Sequence, residues 1–253
     1  MEKIYATTFL VHNYEVDFRA RALPLTLLNY LQEAAGEHAD RLGLSVLELL
    51  KKNLTWLLSR YHIKILHYPT LGETITITTW PSGKLGIFAL RDFEISDADG
   101  RMIGAATSSW VLWNLKLRQP ARLEENLPDR VALDKRALAD DFPPLLACPA
   151  GGRELPFRVE MQDIDFNNHV NHPVYIQWAL ETAPESVLRT LAPVEIEVAY
   201  KGEALYGDEI VSRIHLVEEG PRPVFLHGIY NREKATELTR IRTTWALGSG
   251  LNF

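Results

Sequence analysis

Two stretches of 19 residues decide the fold: DFRARALPLTLLNYLQEAA at residues 17–35 and DFNNHVNHPVYIQWALETA at residues 165–183. They align without a gap, and each matched residue of the second stretch follows its partner in the first by 148 positions. A gap-free match at one constant separation indicates an internal duplication. The matched pairs are Asp17 and Asp165, Phe18 and Phe166, Tyr30 and Trp178, Glu33 and Glu181, and Ala35 and Ala183.

A second set of matches continues the duplication at a separation of 135 positions. The loss of 13 positions falls between the long helix candidate and the first strand candidate of each half. Only the first half has an extra helix candidate there, SVLELLKK, with Ser45 in the position of its N-cap. The second set pairs Gly72 with Gly207, Glu73 with Asp208, Ile75 with Ile210, and Trp110 with Trp245.

Each half has the pattern of one long helix followed by antiparallel strands. Helical spacing of apolar residues predicts helices at 23–35 and 173–183, with Pro24 and Pro173 in their first turns. Strands are predicted from β-branched and aromatic content, and DADG at 97–100 signals a hairpin. The predicted strands are 55–66, 73–80, 87–96 and 102–113 in the first half, and 194–205, 208–217, 224–231 and 237–247 in the second.

This arrangement predicts an α+β fold, a tandem (double) hotdog in which each half is a long helix wrapped by an antiparallel β-sheet. Edge-to-edge pairing of the two sheets would remove one exposed edge from each. Five of the 14 prolines lie between 116 and 153, a segment without a match in the other half. We therefore expect domains at 1–115 and 154–253, joined by a linker at 116–153.

Composition excludes several classes of protein. The net charge of −6 argues against nucleic-acid binding, which needs a basic face. No apolar run approaches the roughly 20 residues of a membrane span, and the N-terminus lacks the apolar core of a signal peptide. We therefore expect a cytoplasmic protein without stable membrane association. The single Cys148 cannot form an internal disulfide and is expected to be inert.

The residues at the start of the second stretch suggest chemistry. In an extended segment Asp165, Asn167 and His169 would face one side. Pro173 then marks the first turn of the helix, with Asn171 or His172 as its cap, and free N–H groups at a helix start suit a developing oxyanion. The first half has Arg19 and Arg21 at the positions of Asn167 and His169, so the fold itself does not require those two residues.

The run DIDFNNHVNHPVYIQWALE resembles the acyl-acyl carrier protein (acyl-ACP) thioesterases of plants and bacteria, which carry an Asp-x-Asn-x-His-Val-Asn run before an aromatic-rich helix. The resemblance extends over nearly the whole chain. It implies that Asp165, Asn167 and His169 are catalytic, together with Glu203 in a strand segment YKGEA. Many plant members have a cysteine after that glutamate, whereas this chain has Ala204, which excludes a cysteine mechanism there.

The resemblance predicts hydrolysis of fatty acyl-ACP to free fatty acid and ACP, with no metal and no cofactor. Asp165 would activate water or attack the carbonyl itself, and the sequence leaves this choice open. Asn167 and His169 would orient the reacting groups, and Glu203 would position or deprotonate water. Under the duplication Glu203 aligns with Tyr68, so only the second half has the full set.

Other residues are assigned to architecture or to binding. Glu181 has its twin in Glu33, which favours a structural role, and His62 and His67 lack the spacing of metal ligands. Most tryptophans are expected in the core. The first half is the expected acyl-chain cavity. Arg118 and Arg122, or Arg19 and Arg21, are candidates for contact with an acidic carrier protein.

Three alternatives to the carrier-protein thioesterase are weighed. An acyl-CoA thioesterase of the same fold is the nearest. A hotdog dehydratase is disfavoured, because the Pro-Gly pair that those enzymes have after their histidine is absent after His169. A non-catalytic acyl-ligand-binding protein is the third, although the chain has no spare basic segment for a DNA-binding module. Pairing of the whole chain into a homodimer is left open.

Overall fold

A computed structural model of the chain describes residues 3–127 and 132–247. These residues form two compact units, the first ending at Phe142 and the second starting at Pro143. The boundary lies inside the predicted linker, and the domain limits at 115 and 154 stay predictions. In the described part of the chain, no helix is long and apolar enough to cross a bilayer.

The first unit is a long helix on an antiparallel sheet. Helix α1 packs against β3, and the strand order is β1, β3, β4, β5, β2, with the short β6 paired to β5. Its elements are β1 (Tyr5–Leu10), α1 (Pro24–Arg41), α2 (Val46–Leu50), β2 (Leu54–Ile65), β3 (Thr74–Leu85), β4 (Phe88–Ser96), β5 (Met102–Asn114), β6 (Gln119–Pro120) and α3 (Leu123–Asn126).

The second unit repeats this plan with a shorter helix. Helix α4 packs on β9, β10 and β11, and the strand order is β8, β11, β10, β9, β7. Both units therefore have the α+β hotdog arrangement that the sequence predicted. The elements are β7 (Arg153–Arg158), α4 (His172–Glu181), α5 (Glu185–Thr190), β8 (Ala192–Tyr200), β9 (Glu209–Glu218), β10 (Val224–Asn231) and β11 (Thr236–Ala246).

Helix α1 begins where its sequence predicts but ends later. Pro24 is its first residue, and Leu27, Leu31 and Ala34 on the inner face are almost fully buried. The predicted end at residue 35 is wrong, because Gly36 lies on the exposed side of the helix and does not interrupt it. The added turns bury His38 completely, so this polar residue belongs to the inner face.

The duplication extends further toward the N-terminus than the residue matches indicated. Strand β7 follows β1 by 148 positions, and a 3-10 turn at Met161–Asp163 follows one at Asn13–Glu15 by the same interval. Both strands are sheet edges, β1 beside β3 and β7 beside β9. They were not predicted, since each is short and half exposed, and β7 contains Pro156, which only an edge strand tolerates.

A hydrogen bond inside each sheet is also duplicated. The indole N–H of Trp110 donates to the Ser108 hydroxyl, and that of Trp245 donates to the Thr243 hydroxyl, both at 2.8 Å. Trp245 is buried and Trp110 is half-buried, and the polar atom of each is satisfied by its own strand. This explains why the tryptophan match survives in both halves.

The segment at residues 135–140 is attached to the first sheet. Asp92, fully buried, accepts bonds at 3.0 Å from Arg136 Nε and from the Ala137 N–H. The Trp80 indole donates to the Lys135 carbonyl at 2.7 Å, and His62 Nδ1 lies 2.7 Å from Asp140. Residues 135–140 of the predicted linker therefore form a strap on the first unit.

Candidate active site

Asp165, Asn167 and His169 lie in a tight turn, which we call the second turn (residues 165–169). The Asp165 N–H donates to the His169 carbonyl at 2.8 Å, and Asn168 has the left-handed φ of 66°. Asp165 Oδ1 accepts the Asn167 N–H at 2.8 Å and the His169 N–H at 3.5 Å. The predicted side-by-side alternation of an extended segment is therefore wrong, because the carboxylate folds the chain back on itself.

The first unit has the same backbone at residues 17–21, the first turn. Asp17 Oδ1 accepts the Arg19 N–H at 2.8 Å and the Arg21 N–H at 3.0 Å, and Ala20 has φ 58°. The Asp17 N–H donates to the Arg21 carbonyl at 2.7 Å. Asp17 and Asp165 thus share one structural task, which is to close this turn.

Glu203 reaches the second turn from the loop that follows β8. The strand was predicted to include Glu203, but it ends at Tyr200, because the Lys201 and Gly202 N–H groups both turn to the Leu238 carbonyl. Glu203 Oε2 lies 3.3 Å from His169 Nε2, with the two side chains 61% and 37% exposed. The structure therefore brings an acid and an imidazole together in a position open to a substrate.

Asp165 and Asn167 complete the group. In the part of the chain that the structure describes, neither side chain is hydrogen-bonded to Glu203. Asn167 Nδ2 donates to Asp165 Oδ2 at 3.3 Å, and His169 is joined to Asp165 through its backbone. Asp165 Oδ2 is not bonded to any backbone N–H of the turn. All four predicted residues thus lie in two adjoining loops, with Asp165 linked to Glu203 through His169.

The start of helix α4 lies directly after the second turn. Asn171 is at the N-cap position, but its side chain makes no capping bond, so the predicted cap is correct only in position. Its buried Oδ1 has no hydrogen-bond partner in the part of the chain that the structure describes. His172 is the first helical residue, and burial lowers its pKa to about 3, which keeps the imidazole neutral.

Tyr175 is a site residue that the sequence analysis missed. Its buried hydroxyl accepts the N–H of Ala204, the residue after Glu203, at 2.8 Å. Burial raises the pKa of Tyr175, with a further contribution from the charge of Glu203, so the hydroxyl stays protonated. The signal that would have revealed it is its place in the duplication, where the first half has Leu27.

Residues that the sequence set aside lie apart from these loops. Glu181 is the exposed last residue of α4, and its twin Glu33 is exposed in α1. Cys148 is buried, with its Sγ 3.4 Å from the Leu226 carbonyl. Burial raises the pKa of the Cys148 thiol to about 11, so it is not a thiolate near neutral pH.

Comparison with known proteins gives the family. Residues 2–131 match the acyl-ACP thioesterase N-terminal domain, and residues 149–247 match the acyl-ACP thioesterase C-terminal domain. The chain is 30% identical to a chloroplastic oleoyl-acyl carrier protein thioesterase of Arabidopsis thaliana, over 95% of this chain and 76% of the relative. It is 31% identical to a chloroplastic oleoyl-acyl carrier protein thioesterase of Coriandrum sativum, over 82% of this chain and 61% of the relative.

A solved structure agrees with the sequence matches. The crystal structure of an acyl-ACP thioesterase from Bacteroides thetaiotaomicron superposes with a TM-score of 0.86 at 28% identity. The match covers 96% of this chain and 98% of that one. Both domains, their order and the fold are therefore shared, and the chain belongs to the acyl-ACP thioesterases, a family of thioester hydrolases.

Proposed function

We propose that this chain hydrolyses fatty acyl-ACP to free fatty acid and ACP with Asp165, Asn167, His169 and Glu203 as its site. One observation carries the assignment of residues. At two aligned positions of the duplicated frame, the second unit places an exposed imidazole and carboxylate together, His169 and Glu203 at 3.3 Å. The aligned residues of the first unit are Arg21, which is buried, and Tyr68.

In the proposed reaction, Glu203 takes a proton from a water molecule whose oxygen attacks the thioester carbonyl carbon. General base catalysis of this kind contributes about 10²- to 10⁴-fold in rate. The tetrahedral intermediate then expels the carrier-protein thiolate, which receives the proton through the Glu203–His169 pair. Donors near the second turn, the Asn167 amide among them, stabilise the oxyanion.

Asp165 has a different place in this proposal. Its Oδ1 is occupied by the N–H groups of the turn, which leaves Oδ2 to orient the Asn167 amide. We propose that Asp165 holds Asn167 and His169 in place. A nucleophilic Asp165 is the second candidate. In that mechanism Asp165 forms a mixed anhydride with the acyl group. If water attacks the aspartyl carbon of this anhydride, turnover in ¹⁸O-water leaves ¹⁸O in the Asp165 carboxylate.

The first unit is the proposed site of the acyl chain, on the family resemblance. The first unit has a hydrophobic cluster of its own. In the second unit a hydrophobic cluster lies beside an open pocket of about 650 Å³ whose lining includes Val187, Ile214 and Phe225. The cluster comprises Ala183, Ile214, Phe225 and Trp245, with Leu180, Val187, Leu188 and Leu191 packed against it.

The carrier protein is proposed to dock at Arg118 and Arg122. Both are exposed, and Arg122, whose side chain is 81% exposed, has a surface pairing with Glu125 at 3.2 Å. The alternative with Arg21 is wrong, because that side chain is 4% exposed and pairs with Asp17. Cytoplasmic location stays a prediction, and the two plant relatives above are described as chloroplastic.

The test is hydrolysis of acyl-ACP and acyl-CoA over a series of chain lengths. Glu203→Ala is expected to lower kcat on acyl-ACP by about 10²- to 10⁴-fold with an unchanged melting temperature. The exposed Tyr206→Phe is the control in the same loop. Normal turnover by Glu203→Ala would remove Glu203 from the site, and acyl binding without hydrolysis by the wild type would support the non-catalytic alternative.

A second measurement separates carrier protein from coenzyme A. Reversing charge in Arg118→Glu/Arg122→Glu is expected to raise KM for acyl-ACP several-fold and to leave hydrolysis of acyl-CoA unchanged, because the proposed surface contacts the carrier protein and not the phosphates of coenzyme A. Equal effects on both substrates would contradict this docking surface. Preference of the wild type for acyl-CoA would favour the acyl-CoA thioesterase.

A further inference from the structure

The loop that carries Glu203 is held at the next residue, Ala204. Its carbonyl accepts the Val170 N–H at 3.0 Å, which ties it to the second turn. Its N–H donates to the Tyr175 hydroxyl at 2.8 Å, which ties it to helix α4. One residue after Glu203, the chain is therefore fixed from both sides.

The first unit keeps one of these two ties and lacks the other. The Ala22 N–H donates to the Pro69 carbonyl at 2.8 Å, and these residues align with Val170 and Ala204. Proline has no N–H to donate. Tyr175 aligns with Leu27, which has no hydroxyl to accept one. The second unit thus has both the Ala204 N–H donor and the Tyr175 hydroxyl acceptor, and the first unit has neither at the aligned positions.

The fold does not need the tyrosine. A proline fixes its own φ and removes an amide that would otherwise require a partner, so the first unit has the simpler way to hold this loop. Leu27 then packs as an ordinary core residue, 1% exposed. The second unit instead buries a phenol, 3% exposed, whose hydroxyl is used to hold the residue next to Glu203.

We propose that Tyr175 is a positioning residue for Glu203: its hydroxyl fixes the Ala204 amide and thereby holds the Glu203 carboxylate at His169. The proposal rests on the function proposed above, in which this pair activates water. A displacement of about 1 Å at a reacting group can lower a rate by about 10²-fold. Tyr175 acts through Glu203 and contacts no reacting atom itself.

The first experiment is Tyr175→Phe, which keeps the ring and removes the acceptor. We expect kcat on acyl-ACP to fall about 10- to 100-fold, with KM within about twofold, because substrate binding does not depend on Glu203. Tyr230→Phe, which removes a tyrosine hydroxyl on β10 whose ring packs against Arg213, is the matched control. Glu203→Ala is measured in parallel.

The second experiment copies the first unit. In Tyr175→Phe/Ala204→Pro the amide that lost its acceptor is also removed, as at Leu27 and Pro69. We expect kcat to recover to within about threefold of the wild type, because the loop is again held without an unsatisfied N–H. If Tyr175 had a purely structural role, the double variant would regain the wild-type melting temperature without this recovery of kcat.

Each outcome has a defined meaning. A wild-type kcat in Tyr175→Phe overturns the positioning role, whether or not the double variant folds. A low kcat in a double variant with a restored melting temperature also overturns it. If Glu203→Ala itself hydrolyses acyl-ACP normally, the proposed function fails first. If Glu203→Ala is inactive and Tyr175→Phe is normal, this inference alone fails.

Discussion

The first and second turns have the same backbone conformation, but the side chains around them differ. Both are closed by an aspartate whose Oδ1 accepts two backbone N–H groups. In the first turn, the second oxygen of Asp17 accepts Arg21 Nε at 3.0 Å and Nη2 at 2.7 Å. The Arg21 guanidinium also lies 6.0 Å from the ring centre of Tyr68. In the second unit, the residues aligned with Arg21 and Tyr68 are His169 and Glu203.

This difference separates architecture from chemistry. The residue at the fifth position of each turn faces the residue in the loop after the first long strand, whichever side chains are present. The first unit fills the space with the Asp17–Arg21 ion pair and a buried tyrosine. The second fills it with an exposed acid and imidazole. The shared backbone therefore brings the two positions together in both units. The side chains at these two positions decide whether the space between them is closed or exposed.

Exchange of these two positions tests the comparison most strongly. In His169→Arg/Glu203→Tyr the second turn receives the residues of the first, Arg21 and Tyr68, and the proposed base is lost. We expect kcat on acyl-ACP to fall by about 10²- to 10⁴-fold with the fold retained, since the first unit holds the same pair. Release of carrier-protein thiol measures the rate, and circular dichroism measures folding. Residual activity above a tenth of the wild type would contradict the assigned site.

Removal of the turn aspartate should have unequal effects on stability. Asp17→Ala leaves Arg21 buried without its partner, which destabilises proteins by about 3–5 kcal/mol. Asp165→Ala loses the side-chain bonds of the turn, about 1 kcal/mol each, and no buried ion pair. Denaturant unfolding of both variants gives the comparison. Equal losses would mean that the Asp17–Arg21 pair contributes nothing beyond the turn.

Acid should destabilise the second unit through His227. This fully buried histidine has its Nε2 2.8 Å from the Thr243 hydroxyl, and burial lowers its pKa to about 3. Between that value and the unfolded pKa of about 6.5, the unfolded chain binds more protons, so stability falls as pH falls. The slope is about 1.4 kcal/mol per pH unit for one histidine. His172 adds to it in the same direction.

Denaturant unfolding at several pH values between 6.5 and 4 checks this expectation. His227→Gln should reduce the slope of the unfolding free energy against pH by the contribution of one histidine. The slope above pH 7 should not change, because both states are then neutral at this position. An unaltered slope below pH 6.5 would show that His227 is protonated in the folded protein.

The smallest effect is expected at Cys148. Cys148→Ser should leave kcat unchanged, because the buried thiol is protonated near neutral pH and lies outside the two loops of the site. Alkylation of the folded wild type should likewise be slow and without effect on hydrolysis. Strong inactivation by either change would contradict a mechanism without a thiol.

Much of the fold could be predicted because duplicated core residues constrain each other. Trp110 and Trp245 match in both halves, since each packs on its sheet and satisfies its indole N–H within its own strand. Edge strands β1 and β7 could not be predicted, because half-exposed residues carry a weak alternation. The sequence predicts a linker at 116–153, and the bonds of the strap could not be predicted, because its contacts with Asp92 and His62 join residues far apart in the sequence.

The candidate site divides in the same way. The sequence alone determined which residues are present, that two copies exist, and that only one has the asparagine, the histidine and the glutamate. Only the tertiary structure decided that Asp165 closes a turn, that His169 faces Glu203, and that the Tyr175 hydroxyl holds the loop that carries Glu203. These contacts depend on where separate segments meet, and residue spacing along one segment carries no information about that.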